Sequence, residues 1–395
     1  MQNLLNSQRM NVVIRAPLLS VSGYGVHSRQ IFKWLYCKKN LNVTSQVVQW
    51  GNTSWLINPE LEDGMVGDII KSSKNNANKS FDVSFQVQLP DEWDSSLARK
   101  NIGVSAFVET DRCNPQWITA MNKMDAVIVP SEHIKKIILN TGEVKTRLFV
   151  VPEWYFEQID RDESEDLGIE FETSFNFLTI AQFTGHDPYT DRKNLYLTIK
   201  WFCEVFADDK DAGLVIKTNH GRGTHIDRKI TQNKIRQLLS EVRKGEYPKI
   251  HLLHGNITPS EIVGLYNHPQ VKCLLSLTRG EGFGLPLLEA AACGLPVMVT
   301  NWSAHLDFLN LGRFIPINYS LIDVPKNKID GRIFTHGMRW ADPIEEDFKK
   351  KITKLRNKYI IPQQWASDLS RLVKSKFSSD TIMSIYDDVL SKIVM

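Results

Sequence analysis

Leu275–Thr300 reads LSLTRGEGFGLPLLEAAACGLPVMVT. An apolar strand enters this stretch and ends at Leu277. A polar, glycine-rich turn follows (Gly280, Glu281, Gly282, Phe283, Gly284), and a helix then opens with Leu285 and with Pro286 in its first turn. Glycines let the backbone approach a ligand closely, and the free N–H groups at a helix start favour phosphate. Glu281 falls in the turn and Glu289 about a turn into the helix, with seven residues between them. Carboxylates so placed suit the paired hydroxyls of a sugar or a ribose. The apolar run Leu295–Val299 then completes a strand–turn–helix–strand unit. In open α/β sheets such turns carry the ligand, because ligands collect at the carboxyl ends of the strands.

Working outward, short β-branched runs alternate with helix-length amphipathic stretches along the chain. One series of strands is expected at Val12–Ala16, Val43–Trp50, Phe81–Val87, Gly103–Val108, Ala126–Val129 and Leu148–Val151. A second is expected at Phe177–Ala181, Gly213–Thr218, Ile250–His254, Val271–Leu277, Leu295–Val299 and Arg313–Ile315. This alternation implies parallel sheets covered by helices on both faces, and two series imply two doubly wound α/β domains. The acidic, poorly periodic Asp160–Glu172 reads as the linker, and SSKNNANKS at Ser72–Ser80 as a surface loop. The resulting division is 1–165, 166–380 and a terminal helix in 381–395.

Composition excludes several classes. The chain has 395 residues, 42% hydrophobic and 24% charged, with a net charge of +3, the profile of a globular protein of two domains. That charge is too mild to indicate nucleic acid or membrane by itself. No apolar run approaches the ~18 residues of a membrane span, and the start lacks a signal-peptide core. Five cysteines without CxxC spacing read as free thiols of a reducing compartment, so a cytoplasmic location is expected. Metal-ligand clusters are absent from the pattern, and no cofactor is expected. Asp160-Arg161-Asp162 and Asp209-Lys210-Asp211 fall in acidic surface loops and are not assigned to a metal.

Two further turns carry polar residues just after a strand. Gly23-Tyr24-Gly25 leads into a helix after the first strand, but it lacks the third glycine of a dinucleotide fingerprint. Arg192 and Lys193 sit between the first strand of the second series and its helix, where two adjacent cations make sense beside an anion.

EGFGLPLLEAAACGLPV closely resembles the E-x7-E signature of retaining GT-B glycosyltransferases, especially glycosyltransferase family 4 (group 1). The resemblance runs thinly from Val12 to the last helix and is strong only at Leu275–Thr300. It implies two Rossmann-like domains facing across a cleft, with the C-terminal helix crossing back to the first. It also implies that Glu281 contacts the transferred sugar and that Gly282, Phe283, Gly284 and Leu285 line the sugar and diphosphate. Glu289 then holds the ribose hydroxyls. Lys193 inherits a diphosphate-binding role from a similar RKN segment, assisted by Arg192. The family often has Gly-Arg after this strand where the present chain has Ala181-Gln182, and Arg192 is the candidate replacement. Asn256 and Ile257, with Gly255, match the turn that contacts the nucleotide base.

In the first domain Gly25 matches the family's glycine-rich loop near the donor phosphates. His27, Asp111 and Arg112 are acceptor-side candidates. Glu109 stands where many members place a histidine beneath the sugar ring, and a carboxylate there can stabilise positive charge at the anomeric carbon. Catalytic roles therefore fall to Glu109, Lys193 and Glu281, in a metal-independent transfer with retention from a nucleotide-diphosphate sugar. The acceptor expected is a saccharide or a lipid-linked saccharide, with peripheral membrane contact left open. The basic run between Lys217 and Lys249 leaves a hydroxylated DNA base open as well. An epimerase or phosphorylase on the same fold, or a sugar-nucleotide-binding module without turnover, are the alternatives.

Overall fold

The computed structural model describes residues 9–74 and 80–394. Residues 1–8, 75–79 and 395 lie outside the described residues, and with them the middle of the loop expected at Ser72–Ser80. The chain divides into two compact units, one of residues 1–107, 114–153 and 383–395, the other of residues 108–113 and 154–382.

The first unit is built from β1 (Met10–Ala16), α1 (Gly23–Tyr36), β2 (Leu41–Val47), α2 (Met65–Ser73), β3 (Val83–Val87), β4 (Lys100–Val104), α3 (Pro115–Met121), β5 (Ala126–Val129), α4 (Glu132–Thr141) and β6 (Arg147–Val150). Its strands form a parallel sheet in the order β2-β1-β3-β4-β5-β6. Val13, Ile14, Ile102, Val104, Val127 and Ile128 are fully buried, as strands covered on both faces require. Ser22 caps α1 by accepting from the Gly25 amide, and Ser131 caps α4 by accepting from Ile134.

The second unit contains β7 (Phe175–Ile180), α5 (Leu195–Val205), β8 (Ala212–Thr218), α6 (His225–Val242), β9 (Lys249–His254), α7 (Pro259–Tyr266), β10 (Val271–Ser276), α8 (Leu285–Ala292), β11 (Val297–Thr300), α9 (Leu306–Leu309) and β12 (Ile315–Ile317). After these come the hairpin strands β13 (Tyr319–Asp323) and β14 (Arg339–Pro343), then α10 (Glu345–Asn357) and α11 (Ile360–Phe377). The last helix, α12 (Ser379–Val394), counts with the first unit from Met383 onward. Six parallel strands run β12-β11-β10-β7-β8-β9. The chain enters at the centre on β7, winds outward through β8 and β9, then returns to β10 on the other side. The strand order therefore reverses between β7 and β10, the place where open sheets of this kind hold ligands at the strands' carboxyl ends. The core on one face of this sheet is aromatic: Phe177 and Phe202 are fully buried, with ring centroids 5.4 Å apart. Each such burial stabilises the unit by about 1.5–3 kcal/mol.

Beyond shifts of a few residues at the ends of β2, β11 and β12, two features depart from the expectation. Strand β4 stops at Val104 rather than Val108, and Val108–Cys113 packs with the second unit. The antiparallel hairpin β13–β14, paired from Tyr319↔Pro343 to Asp323↔Arg339, carries no signal that the alternating pattern revealed. Among the described residues no helix is long and apolar enough to cross a membrane.

Candidate donor site at the carboxyl ends of β7 and β10

Loop 181–194, after β7, is fixed by its own polar side chains. Asp191 is fully buried and accepts from the Thr184 amide and hydroxyl through Oδ1 and from the Leu195 amide through Oδ2. Asp187 accepts from the amides of Tyr189 and Thr190. Arg192 and Lys193 therefore stand on a prearranged loop, immediately before Asn194, which starts α5 in the left-handed region at φ +57°.

The turn after β10 comes to meet them. Gly280 packs so tightly that an added Cβ would lie 2.5 Å from the Glu109 carbonyl oxygen and 2.9 Å from the Trp302 ring. Gly284 starts α8 at φ +102°, a conformation that side chains rarely adopt. Between them Glu281 is 7% exposed, and Lys193 Nζ donates to both of its oxygens at 2.7 and 2.6 Å. Arg192 donates from Nη1 to the Gly280 carbonyl at 2.6 Å, lies 3.8 Å from Glu281, and pairs through Nη2 with Glu109 at 3.1 Å. Burial opposes ionisation of Glu281, but the charges of Lys193 and Arg192 outweigh it and hold its pKa at about 2. The amides of Phe283, Gly284 and Leu285 have no hydrogen-bond acceptor among the described residues, leaving an anion-ready helix start beside two cations.

The structure thus brings Glu281, Lys193, Arg192 and Glu109 into one network within the second unit. Glu109 joins it because Val108–Cys113 leaves the first sheet. Asp111 is held by Arg339 of β14, whose amide and Nε donate to its two oxygens at 2.8 and 2.9 Å, so it is a tether rather than an open acceptor group. The Arg112 side chain is half-exposed beside it.

Other expected residues fall elsewhere. Glu289 does not point to an open mouth: α8 is buried on nearly every side, Glu289 is 4% exposed, and the Tyr266 hydroxyl donates to it at 2.9 Å. Burial raises its pKa to about 8, against a smaller lowering by Tyr266. Asn256 is exposed and accepts from Asn219 at 2.7 Å, with Ile257 half-buried next to it. Lys217 is buried and donates to the Gly255 carbonyl, so its ammonium closes this turn, and burial lowers its pKa to about 8.

In the first unit the Gly25 amide already donates to Ser22 Oγ at 3.0 Å. His27 is not a surface residue. It is 3% exposed, its Nε2 lies 3.1 Å from the Tyr386 hydroxyl, and burial lowers its pKa to about 3. Trp34 stacks on the same tyrosine and donates to Asp387, so this face of α1 receives the last helix.

Sequence reasoning missed the residues that hold the network in place. Ser303, at φ +93° after β11, accepts from the Glu281 amide at 2.9 Å. His305 Nε2 lies 2.8 Å from the Thr300 carbonyl oxygen, and burial lowers its pKa to about 4. Arg279, 1% exposed, donates to the carbonyls of Pro188 and Asp191, to Asn194 Oδ1 and to Asp342 on β14. The only signal for it was its place beside the glycine turn. The basic run is not one face: Lys217 is buried, Lys234 packs on Phe183 and Tyr196, and Lys249 pairs with Glu172. Among the described residues no group of three His, Cys, Asp or Glu gathers as for a metal ion.

Residues 190–313, which hold this network apart from Glu109, match the family model of glycosyl transferases group 1. This stretch of the second unit is similar to group 1 glycosyl transferases. A probable sucrose-phosphate synthase of Thermosipho melanesiensis is 25% identical over 174 residues, 44% of this chain. That match spans only 36% of the relative's own length. The sucrose-phosphate synthase structure from Thermosynechococcus elongatus superposes with a TM-score of 0.64 at 12% identity, covering 98% of this chain and 99% of that one. A trehalose-6-phosphate synthase, solved in a study of glycosyl transfer with retention, gives 0.64 at 10% identity over 96% and 99%. At these identities the likeness establishes the fold, which is GT-B.

Proposed function

We propose that this protein is a retaining glycosyltransferase that moves a sugar from a nucleoside-diphosphate sugar to a hydroxyl acceptor without a metal ion. The observation that carries the reading is the contact of Glu281 with Lys193 and Arg192 where the sheet of the second unit reverses its strand order. A site that pairs a carboxylate with two cations exchanges partners when a donor enters. The diphosphate takes Lys193, Arg192 and the amides of Phe283 to Leu285, and Glu281 turns to the sugar hydroxyls. Glu289 and the turn at Asn256 and Ile257 are assigned to ribose and base.

As the glycosidic bond breaks, negative charge grows on the leaving phosphate, and the prearranged cations stabilise it most at that moment. The leaving phosphate oxygen accepts the proton of the incoming hydroxyl on the same face of the sugar, which retains the anomeric configuration. Glu109 stabilises the positive charge that develops at the anomeric carbon. Retention is the outcome named for the trehalose-6-phosphate synthase of the same fold. The acceptor assigned is a saccharide, free or lipid-linked. Lys217, Lys234 and Lys249 of the basic run are engaged within the unit, which does not favour a DNA acceptor.

A donor panel tests this, with released nucleotide and product configuration read by NMR, over saccharide, lipid-linked saccharide and hydroxymethylated DNA acceptors. Nucleotide release with retained configuration, unaffected by EDTA, is expected. An inverted product, or activity abolished by EDTA and restored by Mg²⁺, refutes the mechanism. Binding without turnover on every donor returns the chain to a sugar-nucleotide module.

A further inference from the structure

The hairpin β13–β14 and the segment joining its strands lie beyond the residues that match the family model. One side chain of that segment reaches the loop after β7. Lys328, half-buried on the short turn Lys326–Lys328, donates from Nζ to the Thr184 carbonyl at 2.5 Å. Among the described residues no carboxylate lies within 4.0 Å of it. Its neighbours by charge are Arg192, Asp191, Asp330 and Glu109, and its pKa is lowered, first by burial and then by Arg192.

The side chain is held there by a continuous stack. Lys328 Nζ lies 5.9 Å from the Phe334 ring centroid, and Phe334 meets Trp340 edge-on at 5.8 Å. Arg279 lies 5.8 Å from the Trp340 ring centroid while gripping the loop that presents Lys193. At the tip, Asp330 accepts from the amides of Arg332, Ile333 and Phe334 at 2.7–3.0 Å, so the tip keeps its shape.

The charge balance shows why a cation belongs there. Arg192 and Lys193 each face a carboxylate, Glu109 and Glu281, so neither is a surplus cation. A diphosphate brings further negative charge to the network. Arg192, the expected substitute for the family arginine absent at Gln182, also holds Glu109 and the Gly280 carbonyl, so its charge is shared. An ammonium fixed on a carbonyl, with no carboxylate partner and two N–H donors to spare, is built to receive an anion. We propose that Lys328 is a third cation of the donor diphosphate site, delivered by the β13–β14 hairpin; the assignment rests on the donor site proposed above.

The test is calorimetric binding of uridine, guanosine and adenosine mono- and diphosphates to the full chain and to Lys328→Gln, Lys328→Arg and Lys326→Ala. Lys326 is exposed on the same turn and serves as the control. For whichever base binds, Lys328→Gln should lose about tenfold or more in diphosphate affinity and under about twofold for the monophosphate. Lys328→Arg should restore most of the loss, and Lys326→Ala should match the wild type. Full diphosphate affinity in Lys328→Gln overturns the assignment while leaving the donor site intact. So does an equal loss for mono- and diphosphate with an unchanged melting temperature. Should Lys328→Gln fail to fold, Lys328→Arg decides: unaltered folding with a diphosphate affinity as low as a tenth of wild type also overturns it. A wild-type protein that binds no nucleotide overturns the proposed function itself, and this assignment with it.

Discussion

Replacing Glu281 by glutamine keeps its size and its hydrogen-bond acceptor but removes the charge that Lys193 and Arg192 surround. Those cations hold the Glu281 pKa at about 2 rather than 4.5 despite burial. At ~1.36 kcal/mol for each tenfold change in proton affinity, the ionised carboxylate stabilises the second unit by about 3 kcal/mol. Because the folded pKa is the lower one, that stability is fully present above pH 4.5 and is lost as pH falls toward 2. Glu281→Gln should therefore be about 3 kcal/mol less stable at pH 7, with the gap closing between pH 4.5 and 2. A chain of two units does not unfold in one step, so the measurement is amide exchange in β10 and α8 across urea and pH. The same variant frees Lys193 from its competitor, so nucleoside-diphosphate affinity should hold or rise while sugar transfer falls. Equal stability of the two proteins at pH 7, or a gap that does not change with pH, refutes the ion pair. Diphosphate affinity lost together with transfer refutes the exchange of partners.

Lys193→Ala should lower turnover more than it weakens nucleoside binding, since its charge matters most as the diphosphate departs; unchanged turnover at saturating donor removes it from the site. Glu289→Ala should weaken nucleotide binding about tenfold to a hundredfold. Glu289→Gln should bind nearly as well as wild type at pH 7, where a carboxyl of pKa about 8 is mostly protonated. A raised folded pKa makes the wild type lose stability as pH climbs from 4.5 to 8, so melting curves should show Glu289→Gln overtaking it across that range. Glu109→Gln should cut turnover by about 100-fold with donor affinity little changed, because only a charge felt in the transition state is removed; full activity in steady-state assays makes it a partner of Arg192 and nothing more.

Hydrophobic alternation, glycines and helix starts are local properties, and they carried the reading of two parallel sheets and of the turn after β10. The twelve core strands followed from short β-branched runs, because a strand buried on both faces must be apolar along its length. Glu281 and Lys193 could be nominated singly because each follows a strand, where an open sheet keeps its ligands. Their contact could not be read, since β7 and β10 become neighbours only when the chain winds outward and returns. The burial of Glu289 and His27 could not be read, because a polar side chain near a helix start looks solvated in sequence. Only packing shows that α8 is covered on nearly every side and that α1 receives the last helix. Arg279 and Lys328 were not nominated. An arginine beside a glycine turn and a lysine on a polar loop carry no periodic signal. The partner of Lys328 and two of those of Arg279 are backbone carbonyls of a loop far away in sequence, and carbonyls are supplied by any residue. Composition and pattern therefore determined the sheets and the carboxylate-bearing turn, while the placing of every charge against its partner was decided by the tertiary fold, because ion pairing depends on distances that span 83 to 91 positions of sequence or more and that no local pattern encodes.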